Sequence, residues 1–206
     1  MNGHIHEFEP DLGFPESLPV SEKVLWQGRP CAWLIAKRIF LLRYLFFYFL
    51  ILSLLSLSVD SNVNSVGVLL TNFLSFMSVG LVAIFLLLSI SYLISSTTVY
   101  SITDKRVVMR IGIVLNLSLN IPFSRIQSAE SREYADKSGD ISLELTAKNK
   151  IAYLHLWPHC RPWFFSAPRP RLSCIKDVES VAYLLTKSWE EQKKTVGETN
   201  GKKNTL

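Results

Sequence analysis

Two histidines lie four positions apart in the segment IAYLHLWPHCRPW, residues 151–163. His155 and His159 carry imidazole groups, which bind metal ions and the central metal of tetrapyrrole pigments. On a strand, His155 would share a face with its aromatic neighbours, while His159 follows a proline that redirects the chain. Cys160 is adjacent to His159 in sequence only, and no third ligand lies nearby. Two roles stay open for these histidines: binding a metal or pigment, or a structural or interface role. The absence of a third ligand nearby favours the structural or interface role.

The chain after these histidines is rich in proline, aromatic and basic residues. Proline at this density prevents regular secondary structure, so residues 157–174 are expected to form a loop. Aromatic side chains in a loop need an apolar surface, which could be the domain's own core, the membrane interface or a partner protein. Tryptophan and arginine are enriched among the residues that dominate protein interfaces. The candidate partner-binding residues are Trp157, His159, Arg161, Trp163 and Phe164.

The sequence contains no catalytic pattern. G-x-S-x-G, a Walker loop, H-E-x-x-H and a Gly-rich dinucleotide turn are all missing, and the nine glycines are scattered. A net charge of +5 is modest, and nothing in the sequence requires nucleic acid as a partner. We therefore expect no catalytic residues and a protein that is not an enzyme.

A long apolar region precedes these segments. From position 44 to position 104 there is no Lys or Arg, and the only acids are Asp60 and Asp104. Two apolar runs lie on either side of the polar segment 60–65, and each is long enough to cross a hydrocarbon core of roughly 30 Å as a helix. The sequence therefore predicts a transmembrane helical hairpin over 39–94, with helices at about 39–59 and 70–94.

Basic residues flank this hairpin on one side only. The positive-inside rule then places both termini in the cytoplasm and predicts a multi-pass membrane protein. Arg43 lies one turn into the first span, where its side chain can reach back to the headgroups. The candidate lipid-contact residues are Lys37, Arg38, Arg43, Lys105, Arg106 and Arg110.

The interior of the two spans lacks the groups that an ion or proton pathway needs. It contains no Asp, Glu, Lys or His, so transport is disfavoured. Small residues such as Ser53, Ser78 and Gly80 recur along the spans and let helices approach closely. This pattern suits packing within the hairpin or between two copies of the chain in a homodimer.

The segment after the hairpin alternates with a period of two. Tyr100 and Ile102, then Val107 and Met109, share one face, and the pattern continues through the leucines that end at Ile121. Further strands are expected at 125–133, 140–146 and 150–157, and five or six antiparallel strands suggest a small barrel or a curved sheet.

An amphipathic helix after residue 175 would close this domain, whose expected range is 95–190. The first 38 residues form a predicted cytoplasmic arm, in which residues 22–30 form a strand that could pair with the β domain. The polar stretch 191–206 is predicted to be disordered. The three cysteines have no C-x-x-C spacing and are expected to be free thiols.

Several segments of the chain resemble known families. EKVLWQGRP before the hairpin and TTVYSITDKRVVMRIGIVLNLSLNIPFSRIQSAE after it resemble bacterial membrane proteins with a pleckstrin-homology-like (PH-like) domain. HEFEPDLGFPESLP, RVVMRIGI and above all IAYLHLWPHCRPW are similar to the PuhB family of photosynthetic complex assembly proteins from purple bacteria. This likeness runs from about residue 4 to residue 190.

The resemblance implies a membrane α+β protein: a two-helix transmembrane hairpin, a cytoplasmic PH-like antiparallel β domain and a C-terminal helix. It places this multi-pass protein in the bacterial inner (intracytoplasmic) membrane. It further implies a factor that helps assemble the reaction centre with its core light-harvesting antenna, encoded beside the reaction-centre H subunit. Partners would be subunits of those complexes and membrane lipids. Two alternatives are a general PH-like module that binds lipid or senses membrane state, and a bacteriochlorophyll carrier using His155 and His159.

Overall fold

The computed structural model describes residues 18–19, 22–59, 66–112, 117–146, 153–162 and 168–203. The chain divides into two compact units. The helical unit is Ala32–Ser95, and the β unit combines the chain up to Cys31 with the chain from Ser96 onward. The helical unit contains α1 (Ala32–Leu34), which continues as the π-helix Ile35–Ile39, then α2 (Leu42–Val59) and α3 (Val66–Thr97).

Helix α3 is long and apolar enough to cross a membrane. It extends beyond the predicted range of 70–94 at both ends. The segments Ala32–Ile39 and Leu42–Ser58 reach the required length only when counted together as one span, and they meet at a bend of 55°. Within the described residues, one helix therefore qualifies by itself, and the two-helix transmembrane hairpin stays a prediction.

The first predicted helix, 39–59, begins and continues differently in the structure. Helical backbone starts at Ala32, well before the expected boundary, and is broken before Leu42. Leu41 has a φ of 52°, in the left-handed region that a right-handed helix cannot include. The prediction missed this break because a leucine within an apolar run carries no helix-breaking signal.

Helices α2 and α3 approach each other closely at one glycine. A Cβ atom built on Gly80 would lie 2.7 Å from the Cβ of Phe49. Ser53, one turn further along α2, is fully buried and donates its hydroxyl to the Phe49 carbonyl at 2.8 Å. At this point the small residues serve contact within the helical unit.

The β unit consists of two antiparallel sheets and a long C-terminal helix. The four-stranded sheet has the order β1-β2-β3-β4, and the three-stranded sheet has the order β5-β6-β7. The antiparallel sheets that the alternating pattern predicted are confirmed. The elements are β1 (Val24–Gly28), β2 (Val99–Thr103), β3 (Arg106–Ile111), β4 (Leu117–Pro122), the 3-10 turn Phe123–Arg125, β5 (Ile126–Glu133), β6 (Gly139–Leu145), α4 (Tyr153–Leu156), β7 (Arg171–Ile175) and α5 (Val178–Lys203).

Both sheets and α5 contribute to one hydrophobic core. In the first sheet, Tyr100 pairs with Met109 and Ile102 pairs with Val107, so the alternate residues of the sequence pattern meet on one buried face. The second sheet adds residues such as Leu143 to the same cluster. Helix α5 contributes the members of its apolar stripe, Val178, Val181 and Leu185.

The N-terminal strand expected at 22–30 spans Val24–Gly28 and lies at the edge of the first sheet. It pairs antiparallel with β2, where Gln27 lies opposite Ser101. The Gln27 amide also donates to the Ser101 hydroxyl at 3.0 Å. A segment before the apolar helices therefore completes a sheet formed after them.

Three expectations for the C-terminal half differ from the structure. The strand expected at 150–157 is instead the helical turn α4, with residues 147–152 outside the described part of the chain. The strand next to β6 is β7, which lies in the stretch expected to be a loop, and Leu172 pairs with Ile141. Helix α5 runs to Lys203, through most of the stretch predicted to be disordered. Local alternation could not show which segment takes the place beside β6.

Candidate functional site

The loop predicted to bind partners is held at its base by a short antiparallel ladder. Cys160 bridges to Pro170, and the Arg161 backbone N–H donates to the Arg169 carbonyl at 3.0 Å. The Arg171 N–H donates to the His159 carbonyl at 2.9 Å. This ladder joins the two ends of the loop to the start of β7. Two of the candidate residues, Trp163 and Phe164, lie outside the described residues.

His159 lies in the interior of the β unit with no exposed surface. Its Nδ1 atom is 2.5 Å from the hydroxyl of Tyr100, and its Nε2 atom is 3.2 Å from the hydroxyl of Thr98. The Tyr100 oxygen also accepts a hydrogen bond from the Ser173 backbone N–H at 3.3 Å. Each ring nitrogen of His159 therefore lies against a hydroxyl group inside the domain.

Burial also lowers the pKa of His159 to about 3, with a smaller effect from the positive charge of Arg171. The same burial raises the pKa of Tyr100 above its ordinary value. Both ring nitrogens of His159 are used inside the domain, so the residue has the structural role rather than that of an exposed partner contact or a pigment ligand. This corrects the two functional hypotheses for His159.

The backbone of His155 is part of α4, and the structure does not describe its side chain. The strand geometry that would have placed it beside Tyr153 and Trp157 does not occur, because this segment is helical. Across the described ranges, no group of three or more His, Cys, Asp and Glu side chains could hold a metal ion. The cysteines Cys31, Cys160 and Cys174 are thiols that form no disulfide bond, and the last two are buried.

Among the described loop residues, Trp157 and Pro162 are exposed and Arg161 is partly exposed. Trp157 keeps 44% of its surface exposed, which is a large fraction for an indole ring in a folded domain. The Arg161 guanidinium forms an ion pair with Glu130 on β5, with the two atoms 2.5 Å apart. An exposed aromatic side chain thus lies four positions before a partly exposed charged one, which belongs to the ladder.

Arg161 borders a polar pocket of about 350 Å³. Three arginines and two carboxylates lie around it, so one positive charge is in surplus. The pocket would accept a carboxylate or another hydrogen-bond acceptor from a partner. Its lining residues are Glu130, Ser131, Arg132, Asp140, Ser142, Arg161, Pro162 and Arg171.

The floor of this polar pocket is a buried network around Asp140. One carboxylate oxygen accepts the Cys174 backbone N–H at 2.8 Å, and the other accepts from Arg171 at 3.2 Å and from the Tyr134 hydroxyl at 3.1 Å. Burial, together with the Asp140 charge, raises the pKa of Tyr134. The network joins β6 to β7 and keeps the floor rigid, so the adaptable part of the pocket is its rim.

The six basic residues expected to contact lipid have different surroundings. Lys37, Arg43 and Lys105 are exposed, whereas Arg38, Arg106 and Arg110 are partly buried. Arg106 forms a two-point ion pair with Glu22, at 2.7 and 2.8 Å, and the Glu22 side chain is only 3% exposed. Arg106 therefore joins the N-terminal segment to β3, and the lipid contacts of the six residues stay a prediction.

The sequence reasoning missed one groove. It has a volume of about 620 Å³ and lies between the edge strand β1 and the outer face of α5. Tyr183 is 71% exposed there and Leu25 is 43% exposed. The available signal was Tyr183, an aromatic residue placed off the apolar stripe of its helix. The groove is lined by Leu25, Glu179, Ser180, Tyr183, Leu184, Lys187, Ser188 and Glu191.

The β unit has two antiparallel sheets and a closing C-terminal helix, and the chain also contains a long apolar helix. These features define the class of protein: a PH-like β domain combined with a helical unit. The chain belongs to the bacterial PH domain family, whose profile matches residues 41–189. A protein from Rhodobacter capsulatus is 32% identical over 190 residues, which cover 91% of this chain and 89% of the relative. That relative is described as an uncharacterized 23.7 kDa protein in the puhA 5′ region. No solved structure matches the chain.

Proposed function

We propose that this protein is a membrane-anchored assembly factor for the photosynthetic reaction centre and core light-harvesting complex of purple bacteria. It acts through protein–protein contacts and has no enzymatic activity. The observation that carries the proposal is the relative in the puhA 5′ region, which is similar to this chain over nearly its whole length. The resemblance of IAYLHLWPHCRPW to photosynthetic assembly proteins, with its implied position beside the gene for the H subunit, agrees with that location.

In this proposal the helical unit is the anchor. The bent pair formed by Ala32–Ile39 and Leu42–Ser58 is the first span, α3 is the second, and both termini lie in the cytoplasm. The basic residues at both ends of this region, and the absence of any between Arg43 and Lys105, support that orientation. Alkaline phosphatase fused after Lys203 should be inactive, and fused within 60–65 it should be active. The reverse result would contradict the orientation.

The partner-binding surface is proposed to centre on Trp157 and Arg161. An exposed indole and, four residues later, an arginine that borders a charged pocket combine a large apolar contact area with directional hydrogen bonds, which is the composition of interface hot spots. The rigid base supplied by the ladder and by buried His159 reduces the entropy that is lost when the loop binds. The surplus positive charge of the pocket favours an acidic side chain on the partner.

Affinity purification from photosynthetically grown cells tests this proposal. A tagged wild-type chain should recover reaction-centre or core antenna subunits. Trp157→Ala and Arg161→Glu should each reduce the recovered amount by tenfold or more. Tyr183→Ala is the control, because it removes an aromatic side chain that is even more exposed, at 71% against 44% for Trp157, and it should leave recovery unchanged.

Two outcomes would contradict the proposal in different ways. Recovery of neither class of subunit by the wild-type chain would overturn the assembly function. If Tyr183→Ala abolished recovery and Trp157→Ala did not, the partner would bind at the groove beside α5. The assembly function would then stand, and the proposed location of the partner surface would be wrong.

A second candidate is a general PH-like module that binds lipid or senses membrane state, and membership of the bacterial PH domain family favours it. Exposed Lys105, at the turn between β2 and β3, is a cation that could contact a lipid surface. A deletion strain separates the two functions. Normal assembly of photosynthetic complexes without this protein would favour the general module, and loss of assembly would favour the assembly factor.

A further inference from the structure

A groove with an apolar floor lies within the helical unit at the bend between its first two helical segments. Its volume is about 430 Å³. Residues from all three helical segments of the unit contribute to it, which makes it a cleft between helices and not a patch on one of them. The lining residues are Trp33, Lys37, Leu42, Arg43, Phe46, Phe47 and Ile84.

The bend determines which side chains face one another across the groove. The Phe40 N–H donates to the Ile35 carbonyl at 3.1 Å and ends the first segment, and the Leu41 carbonyl accepts from Tyr44 at 2.8 Å to begin α2. The left-handed conformation of Leu41 turns the chain by 55° between the two segments. The first segment therefore contributes Trp33 and Lys37 to the groove, and the second contributes Arg43.

The charges around the groove are all positive. Between positions 32 and 95 the sequence has one acid, Asp60, which comes after the C-terminal end of α2. Among the described residues, no carboxylate forms an ion pair with Lys37 or Arg43. Arg43 stacks on the ring of Tyr44 at 5.1 Å and donates to its hydroxyl at 3.2 Å, which holds the guanidinium in place without neutralising it.

The floor beneath these cations is apolar. Phe46 is 42% exposed and Phe47 is 50% exposed, and Ile84 from α3 also lines the groove. Trp33 is 61% exposed at the rim, and tryptophan is the side chain that concentrates at the boundary between lipid headgroups and hydrocarbon. An occupant that satisfies both parts of the groove needs a negative group at one end and a hydrocarbon chain at the other.

We propose that this groove binds one anionic phospholipid. The headgroup phosphate lies between Lys37 and Arg43, and an acyl chain lies along Phe46, Phe47 and Ile84. The phosphate pairs with two cations for which the described residues supply no carboxylate, and the chain covers aromatic surface that would otherwise face the bilayer without a fixed partner. This site is separate from the loop around Trp157, and it does not depend on the assembly function.

Native mass spectrometry of the full chain released from nanodiscs tests the proposal. Nanodiscs would contain equal amounts of phosphatidylglycerol and phosphatidylcholine with matched acyl chains. The wild-type chain should retain one phosphatidylglycerol molecule at least tenfold more often than one phosphatidylcholine molecule. The variant Lys37→Gln/Arg43→Gln should lose that preference. The control Lys105→Gln/Arg110→Gln, which removes the same charge from the β unit, should keep it.

A second variant tests the apolar part of the groove separately from its two cations. Ile84→Trp fills the apolar floor and leaves both cations in place, so it should also lose the retained lipid while circular dichroism shows unchanged helix content. Equal retention of the two lipids by the wild-type chain would overturn the proposal. An equal loss in the control pair, or co-purification of a pigment or a neutral lipid in place of phosphatidylglycerol, would also overturn it.

Discussion

The hydroxyl of Tyr100 lies 2.5 Å from Nδ1 of His159, and the two rings meet edge to face with centroids 5.7 Å apart. This contact joins β2, directly after the apolar helices, to the base of the loop that carries Trp157 and Arg161. Both partners are fully buried, so the contact is not weakened by water. The position of the proposed partner surface therefore depends on an interior hydrogen bond and not on the loop itself.

Tyr100→Phe should destabilise the β unit. The substitution keeps the ring but leaves His159 Nδ1 and the Ser173 N–H without their partner inside the core. We expect the free energy of unfolding to fall by about 1–3 kcal/mol, the cost of an unsatisfied buried polar group. Chemical denaturation of the full chain in detergent measures it. Tyr183→Phe, at an exposed tyrosine, should change stability by less than about 0.5 kcal/mol, and an equal effect at both sites would contradict this account.

Stability should fall at acidic pH because of His159. Its pKa is lowered from 6.5 to about 3 in the folded chain, so between those values the unfolded chain binds a proton that the folded chain does not. The contribution is fully present above pH 6.5 and is lost as the pH falls toward 3. The variant His159→Gln has no group that titrates there. The stability difference between wild type and variant should therefore shrink by about 2 kcal/mol from pH 7.5 to pH 5, and a difference independent of pH would refute this.

Glu22→Gln should weaken the attachment of the N-terminal segment to β3. The Glu22 carboxylate is almost fully buried against Arg106, whereas the comparable pair of Glu130 and Arg161 is 56% and 35% exposed. Loss of the buried partner should cost about 2 kcal/mol, less than for a fully buried pair because Arg106 is 26% exposed. The control Glu130→Gln should cost less than about 1 kcal/mol. Thermal unfolding of the two variants gives the comparison, and similar losses would argue against a structural role for Glu22.

Gly80→Val should force α2 and α3 apart. The new side chain would begin 2.7 Å from the Cβ of Phe49, far inside van der Waals contact. Overpacking of this kind costs about 1–3 kcal/mol, and Phe49→Ala in the same chain should recover part of the loss. Gly67→Ala, at an exposed position on the same helix, is the control and should not destabilise. Unfolding by sodium dodecyl sulfate titration measures these changes, and a neutral Gly80→Val would show that the helices do not need this approach.

The sequence predicted those features that follow from a periodic pattern of hydrophobic residues. The alternation around Tyr100, Ile102 and Met109 predicted antiparallel strands with one buried face, and the stripe from Val178 to Leu185 predicted the closing helix. Both succeed because a strand or an amphipathic helix is specified by which of its own residues must be buried. The segment 150–157 shows the limit of this reasoning, because its alternation was equally regular and the chain there turns into α4.

The candidate site was predicted less well, since its residues depend on distant partners. The sequence suggested that His159 binds a partner at the surface. In the structure, Thr98 and Tyr100, about sixty residues earlier, contact both of its ring nitrogens. Arg106 looked like one of several membrane-flanking cations until Glu22, 84 positions away, proved to hold it. Leu41 broke the first helix with no local signal.

The sequence by itself determined the apolar helices, the antiparallel strands and the closing helix, because hydrophobic periodicity is a property of neighbouring residues. Only the tertiary structure decided which polar and charged side chains remain at the surface. That decision depends on desolvation and on hydrogen-bond partners brought together from distant parts of the chain.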